Sequence, residues 1–375
     1  MVKNKQKIAL MLPGGGARGS YQVGVLKGIM EISNQNHNIF PIITGTSAGA
    51  INAVVLASYA NKLSYGVARL EKFWTSIHCH DVYRTDTSMI VKTIARVIGS
   101  ILFSSFGVKS PKSLLDNSPL ERLLRNELHL NQIKSVIESN ELIGLAITAS
   151  SYDTAEAKSF YQSHKSIIPW HRTRRYGIPT KIDVEHILAS ASLPFLFPAQ
   201  LIGKEHFGDG GLRMTAPLSP AIHLGAEKIM VIGTRDEVPI PSPTETSEYP
   251  SMGELGGYML DTIFMDTLMA DISRLKRINH TLSILNEQQK QQTNLNHIET
   301  MVIKPSIDVR DVTKKYANEI PKPVRTLLKM IGGWGKDWRM PSYLLFEPAY
   351  TKAMIELGYQ DSMNNVEKIS AFLGK

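Results

Sequence analysis

One local plan occurs twice near the start of this chain and narrows what it can fold into. Residues 7–13 are a short apolar run, cut off at once by Gly14-Gly15-Gly16-Ala17-Arg18-Gly19. From Ser20 onward Val23, Val25, Leu26, Ile29 and Met30 follow a helical pattern. The plan then repeats: an apolar stretch at 40–44, the turn Gly45-Thr46-Ser47-Ala48-Gly49, and a small-residue helix over 50–59. Short, continuously apolar strands are buried on both faces, as in parallel sheets covered by helices. Two strand–turn–helix units in succession predict an α/β fold with a largely parallel sheet. Further strands are expected at 142–149, with Phe160 on a neighbour, and at 228–234 and 300–304. Helices are expected at 184–192, 217–225 and 259–285, and 206–211 reads as a turn. Residues 238–251 hold Pro239, Pro241, Pro243 and Pro250 among Ser, Thr and Glu, the composition of a linker or exposed loop. The expected organisation is a first domain over 7–235, a linker over 236–252 and a mainly helical extension over 253–375.

The second turn is a G-x-S-x-G. A serine at a strand-to-helix turn sits in a cramped backbone, and Gly45 and Gly49 remove the side chains that would clash around Ser47. Its hydroxyl then projects at the carboxyl edge of the sheet, where the following helix favours developing negative charge. The first turn has two chemical readings besides that of a plain structural turn. Gly14, Gly16 and Gly19 satisfy the dinucleotide fingerprint G-x-G-x-x-G. That fingerprint also wants an acidic residue about 20 positions on, and no Asp or Glu lies between Ser33 and Thr44. A phosphate-binding loop fails because the Gly-Lys pair is missing. The other reading is an oxyanion hole, in which the amides of Gly15 and Gly16, with Gly14, face a carbonyl oxygen attacked by Ser47.

A serine nucleophile needs a base. None of the 11 histidines sits in a triad context. Asp209, between Gly208 and Gly210-Gly211, is an acid in a sharply turned loop. It reads equally as a direct proton acceptor in a dry site and as an ordinary Asp-Gly turn.

Taken in order, these motifs resemble the patatin-like phospholipase family. The glycine loop at 14–19, the turn at 45–49 and Asp209-Gly210-Gly211 match its three motifs. The segment from Ala189-Ser190-Ala191-Ser192-Leu193-Pro194 to Phe197-Pro198 is similar to the one that usually precedes the aspartate. Ala199 stands where many members have a second proline, which implies a local loop change. The likeness spans about 7–234. It implies a three-layer α/β/α hydrolase with a mostly parallel central sheet and a helical C-terminal extension. It also implies a Ser47–Asp209 dyad without histidine and an oxyanion hole at Gly14, Gly15 and Gly16. Arg18, Gly45, Gly49, Gly210 and Gly211 would support the site. The implied substrate is a phospholipid or lysophospholipid, with no metal or organic cofactor. Two rivals are a dinucleotide-binding oxidoreductase built on Gly14, Gly16 and Gly19, and a non-catalytic lipid-binding module. Acyl transfer to an acceptor other than water stays open within the enzyme class.

Composition adds the setting. The single Cys79 excludes an internal disulfide framework and suits a reduced, cytoplasmic compartment. The net charge of +8 suits an anionic partner (nucleic acid, a membrane surface or an acidic small molecule) and equally a role in solubility alone. No nucleic-acid motif accompanies it, and with the resemblance the expected partner is an anionic membrane surface met peripherally. Within residues 89–106, Ile90, Ile94, Val97, Ile98, Ile101 and Leu102 lie at helical spacing away from Lys92 and Arg96. That stripe reads either as an interfacial helix or as core. A second stripe, Leu260, Ile263, Phe264, Leu268, Ile272 and Leu275, is expected against the core or a dimer partner. His78, Cys79, His80 and Asp81 look like metal ligands, but in a strand only His78 and His80 converge, too few for a site. Arg18 is expected to steady the glycine loop, meet a phosphate or form a surface salt bridge.

Overall fold

The computed structural model describes residues 7–34, 37–92, 95, 112–237 and 249–375. Its spine is a ten-stranded sheet. The strands are β1 (Ile8–Leu12), β2 (Ile42–Gly45), β3 (Gly144–Ser151), β4 (Ala157–Ser163), β5 (His171–Arg172), β6 (Arg175–Pro179), β7 (Gln200–Ile202), β8 (Glu205–Asp209), β9 (Lys228–Ile232) and β10 (Glu299–Ile303). The main order is β10-β9-β1-β2-β3-β4-β6-β5. From β10 to β3 every pairing is parallel. β1, β2 and β3 are wholly buried, as their unbroken apolar runs require. Helices flank the sheet in the three-layer α/β/α arrangement expected from the repeated strand–turn–helix plan.

The helices used below are α1 (Ser20–Ser33), α2 (Ala48–Ser58), α3 (Leu63–Ser76), α4 (Val184–Ser190), α5 (Met252–Asp261), α6 (Thr267–Ile284), α7 (Arg339–Leu344) and α8 (Pro348–Met363). The C-terminal region is mostly helical, yet it shares the core of the rest. β10 pairs with β9, and α8 lies along α1. Gly24, Gly28 and Gly358 let that pair approach so closely that a Cβ at any of them would strike the opposite helix.

Three expectations change. Residues 206–211 are not a turn: β8 runs antiparallel to β3 up to Asp209, and a short 3-10 turn (Gly210–Leu212) follows. Glycines at 208 and 210 hid the strand, since glycine is depleted in strands on average. His78–Asp81 is not a strand but the start of a single helical turn, Cys79–Val82, with His78 and His80 stacked 5.2 Å apart. The helix expected at 259–285 is unbroken in sequence but contains a π-helical turn, Thr262–Asp266, between α5 and α6. In the second stripe Leu260, Phe264, Leu268, Ile272 and Leu275 are buried in the common core. Most of the other stripe, Ile94, Val97, Ile98, Ile101 and Leu102, lies outside the described residues, as does most of the proline-rich linker. Ile90 is buried and Val91 and Lys92 are exposed. Among the described residues no helix is long and apolar enough to cross a membrane.

Candidate active site

Register brings the two glycine turns together. β1 and β2 are parallel with Leu12 opposite Gly45, so both turns leave the same edge of the sheet, side by side. Gly49 lies against the carbonyls of Leu12 and Pro13, where any Cβ would overlap backbone oxygen. A Cβ on Gly14 would come within 2.8 Å of Ser47 Cβ. That measures how close the glycine loop is to the serine.

Topology brings the aspartate. β4 occupies one edge of β3 along most of its length. β2 takes the other edge only as far as Ile147, and β8 continues there with Asp209 opposite Ala149. β8 therefore ends just beyond the end of β2, which is where Ser47 stands. A separation of 162 positions in sequence is closed by this shared strand edge.

Ser47 has φ 56° and ψ −129°, a strained conformation for a residue with a side chain. It is held from both sides. The neighbouring Thr46 amide donates to Leu12 O (3.1 Å), and the Ser47 amide donates to Ser190 Oγ (2.9 Å). Ser190, at the end of α4, donates in turn to Thr148 O at 2.6 Å. Ser47 is the N-cap of α2, so the positive end of an 11-residue helix faces its surroundings.

Asp209 is wholly buried. Its Oδ1 accepts the Gly211 amide at 2.9 Å. Its Oδ2 has no hydrogen-bond partner among the described residues. Burial pushes the Asp209 carboxyl up to about 7, against the opposing pull of the Ser47 hydroxyl and the Gly211 amide. The hydroxyl is thus close enough to act on the carboxylate but stops short of a well-formed bond to Oδ2. Such a bond commonly tightens only when substrate is bound.

The glycine loop is braced from behind. Thr234 Oγ1 donates to Gly14 O at 2.6 Å, which holds that carbonyl toward Thr234 in a trans peptide. The next amide, that of Gly15, points the opposite way. Gly16 has φ 55° and opens a 3-10 turn, so its amide has no acceptor within that turn. A Cβ on Gly16 would overlap the Tyr343 carbonyl. Asn52 Nδ2 donates to Gly19 O (3.1 Å) and to Gln22 Oε1 (2.8 Å), and Gln22 Nε2 donates to Pro13 O (2.9 Å). Gly210 and Gly211 pack beneath, the first against Thr148 O and the second against Ile263 and Phe264.

Arg18 is not on the surface. It is buried, with Nε donating to Ser342 Oγ (2.8 Å) and Nη1 to Asp261 Oδ1 (2.8 Å), and it stacks on the Tyr343 ring. Burial alone would raise the Asp261 carboxyl, but Arg18 and Arg235 outweigh it and hold it below the usual carboxylate range. The loop is thereby tied to α5 and α7 of the C-terminal region. Thr234, Asn52 and Asp261 were given no role in the sequence, and Ser190 only its place in the segment before the aspartate, because each acts through a contact distant in the chain. Beside Ser47 opens a narrow apolar cavity walled by Ala48, Ile51, Trp74, Leu193, Phe197 and Phe346. Three of the described histidines make contacts elsewhere: His78 with Glu347, His186 with Asp183 and Phe160, His223 against Trp170.

The sequence model of the patatin-like phospholipases matches residues 10–222, which contain both glycine turns and the aspartate. The chain belongs to this family. Membership makes lipid hydrolysis its function at the family level. No curated protein matches the chain. Among solved structures it is similar to the crystal structure of VipD from Legionella pneumophila, at 13% identity over 97% of this chain and 67% of that one, with a TM-score of 0.35.

Proposed function

We propose that this chain is a serine acyl hydrolase of the phospholipase A or lysophospholipase type, working through a Ser47–Asp209 dyad. The observation that carries the reading is a buried carboxyl, raised to about 7, beside a serine in a strained strand-to-helix turn. At neutral pH such a carboxylate is basic enough to take a proton and still ionised in a useful fraction.

Ser47 Oγ attacks the ester carbonyl carbon while its proton passes to Asp209. The amides of Gly15 and Gly16, with Gly14 beside them, receive the oxyanion, and the α2 N-terminus adds favourable field. Asp209 returns the proton to the departing alcohol, leaving an acyl group on Ser47. Water then gives a proton to Asp209 and attacks the acyl-enzyme; as the fatty acid leaves, Asp209 returns that proton to Ser47 Oγ and the dyad is restored. The chain supplies every group these steps use. The apolar cavity beside Ser47 suits a fatty acyl chain. A net charge of +8 favours approach to anionic lipid. Arg18, Gly45, Gly49, Gly210 and Gly211 position the reacting groups.

The test is release of fatty acid from phosphatidylcholine and lysophosphatidylcholine by the wild type beside Ser47→Ala. Hydrolysis by the wild type alone supports the reading; equal rates, or none by either on any acyl ester, overturn it.

A further inference from the structure

The loop Leu193–Phe197 separates two apolar spaces. Leu193 and Phe197 face the cavity at Ser47, whereas Pro194, Phe195 and Leu196 line a wider groove on the outside. The opposite wall of that groove is α5, through Met252, Leu255, Met259 and Ile263 just beyond it. Unlike a core-facing helix, α5 leaves much of this wall in solvent: Met252 is 77% exposed and Met259 47%. Phe195 is 72% exposed and is held at φ 64°. A bulky aromatic rarely adopts the left-handed region, and here the strain presents its ring to water.

The groove lies next to the site. Ile263 lines it and also lies against Gly211, 2.5 Å from where a Cβ would stand. The next residue, Phe264, packs on both Gly211 and Gly14. The surroundings match an interface between water and lipid. Lys112 is the charged residue among the described lining and is exposed, and Lys329 is exposed close in sequence to the lining Ile331. Trp334 and Trp338, half-buried and edge-to-face at 5.3 Å, follow the Gly332-Gly333 segment that packs on Gly253 of α5. Exposed apolar residues rimmed by lysine and tryptophan are the chemistry of a bilayer-contacting surface.

We infer that this face, Phe195 with Met252, Leu255 and Met259, seats on a lipid surface and so brings the Ser47 cavity, across the Leu193–Phe197 loop, next to the bilayer. The inference rests on the hydrolase reading above for its purpose, but its measurement does not. Its occupant is the bilayer itself, because the face is apolar and exposed and its described lining carries a cation and no acid.

Vesicle binding is measured by sedimentation on a Ser47→Ala background, with phosphatidylcholine vesicles containing phosphatidylglycerol. Phe195→Asn keeps a residue that tolerates the left-handed conformation, and Met252→Asp places an acid in the first turn of α5, where the helix dipole welcomes it. Together they should weaken binding by about tenfold or more, since two large apolar side chains no longer enter the lipid. In the presence of Ser47 the same pair should lose vesicle hydrolysis while hydrolysis of a short soluble ester stays within about twofold of wild type. Met252→Asp with Met259→Asp repeats the test without touching the Phe195 backbone, and unchanged melting temperatures certify folding. Vesicle binding equal to wild type in both pairs overturns the inference. A wild-type dimer that the substitutions dissociate, with vesicle binding retained, also overturns it and makes the face a contact between copies of this chain. Failure of the hydrolase reading would show instead as absent ester hydrolysis with vesicle binding intact.

Discussion

At the scale of single residues, the Asp209 carboxyl has no strong partner to hold it charged. Burial raises it to about 7, and the opposing hydrogen bonds do not restore an ordinary value. In its proposed role as base it would work only when ionised, so kcat/KM should rise with pH through about 7 and level off above it. The stability consequence has the opposite sign. A folded-state pKa above the unfolded one means the native state holds the extra proton, so stability is fully present below the unfolded pKa near 3.8 and falls as pH rises to about 7. Asp209→Asn should therefore melt a few degrees higher than wild type at pH 8, and that gain should vanish toward pH 4 in thermal scans. Turnover should meanwhile fall by about a thousandfold or more in Asp209→Asn and in Ser47→Ala, and hardly further in the double variant, because the two act as one unit. Glycine punctuation singled out both residues in the sequence, but for Asp209 it left an ordinary turn equally open, and only the family resemblance gave it a role. The raised pKa was not legible there, because it depends on burial at the junction of β2, β3 and β8.

At the scale of elements, the glycine loop is positioned by its neighbours more than by its own glycines. Thr234 at the end of β9 holds Gly14 O, so Thr234→Val should free that peptide and lower kcat with little change in KM, as steady-state kinetics would show. Arg18 joins the loop to α5 and α7 through Asp261, which also accepts from Arg339 at 3.1 Å. Removing one partner from a buried ion pair leaves an uncompensated charge, so Arg18→Met should destabilise by about 3–5 kcal/mol in urea unfolding. Arg18→Lys should recover little of that, because an ammonium lacks the fork that reaches both Ser342 and Asp261. Local pattern revealed β1, β2 and both turns, where an apolar run stops abruptly at glycine. It missed β8, whose glycines argue against a strand and whose pairing is set by the free edge of β3. It also missed the buried place of Arg18, because its partners lie more than 240 positions away.

At the scale of the whole molecule, the family-matched residues 10–222 are not a self-sufficient body. β10 covers the outer edge of β9, and α8 covers α1, where Tyr21 donates to Asp361 at 2.9 Å. A chain ending at 237 would expose that edge and the apolar face of α1, and it should aggregate on expression whereas the full chain stays in solution, as size-exclusion chromatography would report. The helical character of the C-terminal region was legible from its periodicity. Its role as a wall of the site was not, since Tyr343 and Phe264 reach Gly16, Gly14 and Gly211 only in three dimensions. All these layers converge on one claim, that Ser47 is the nucleophile and Asp209 its base. The most direct measurement is labelling by an alkyl fluorophosphonate, followed by peptide mapping and by rates in the Asp209→Asn and Ser47→Ala variants. The account predicts one adduct, on Ser47, formed much more slowly in Asp209→Asn and absent in Ser47→Ala; an adduct on another serine, or unchanged labelling in Asp209→Asn, would contradict it.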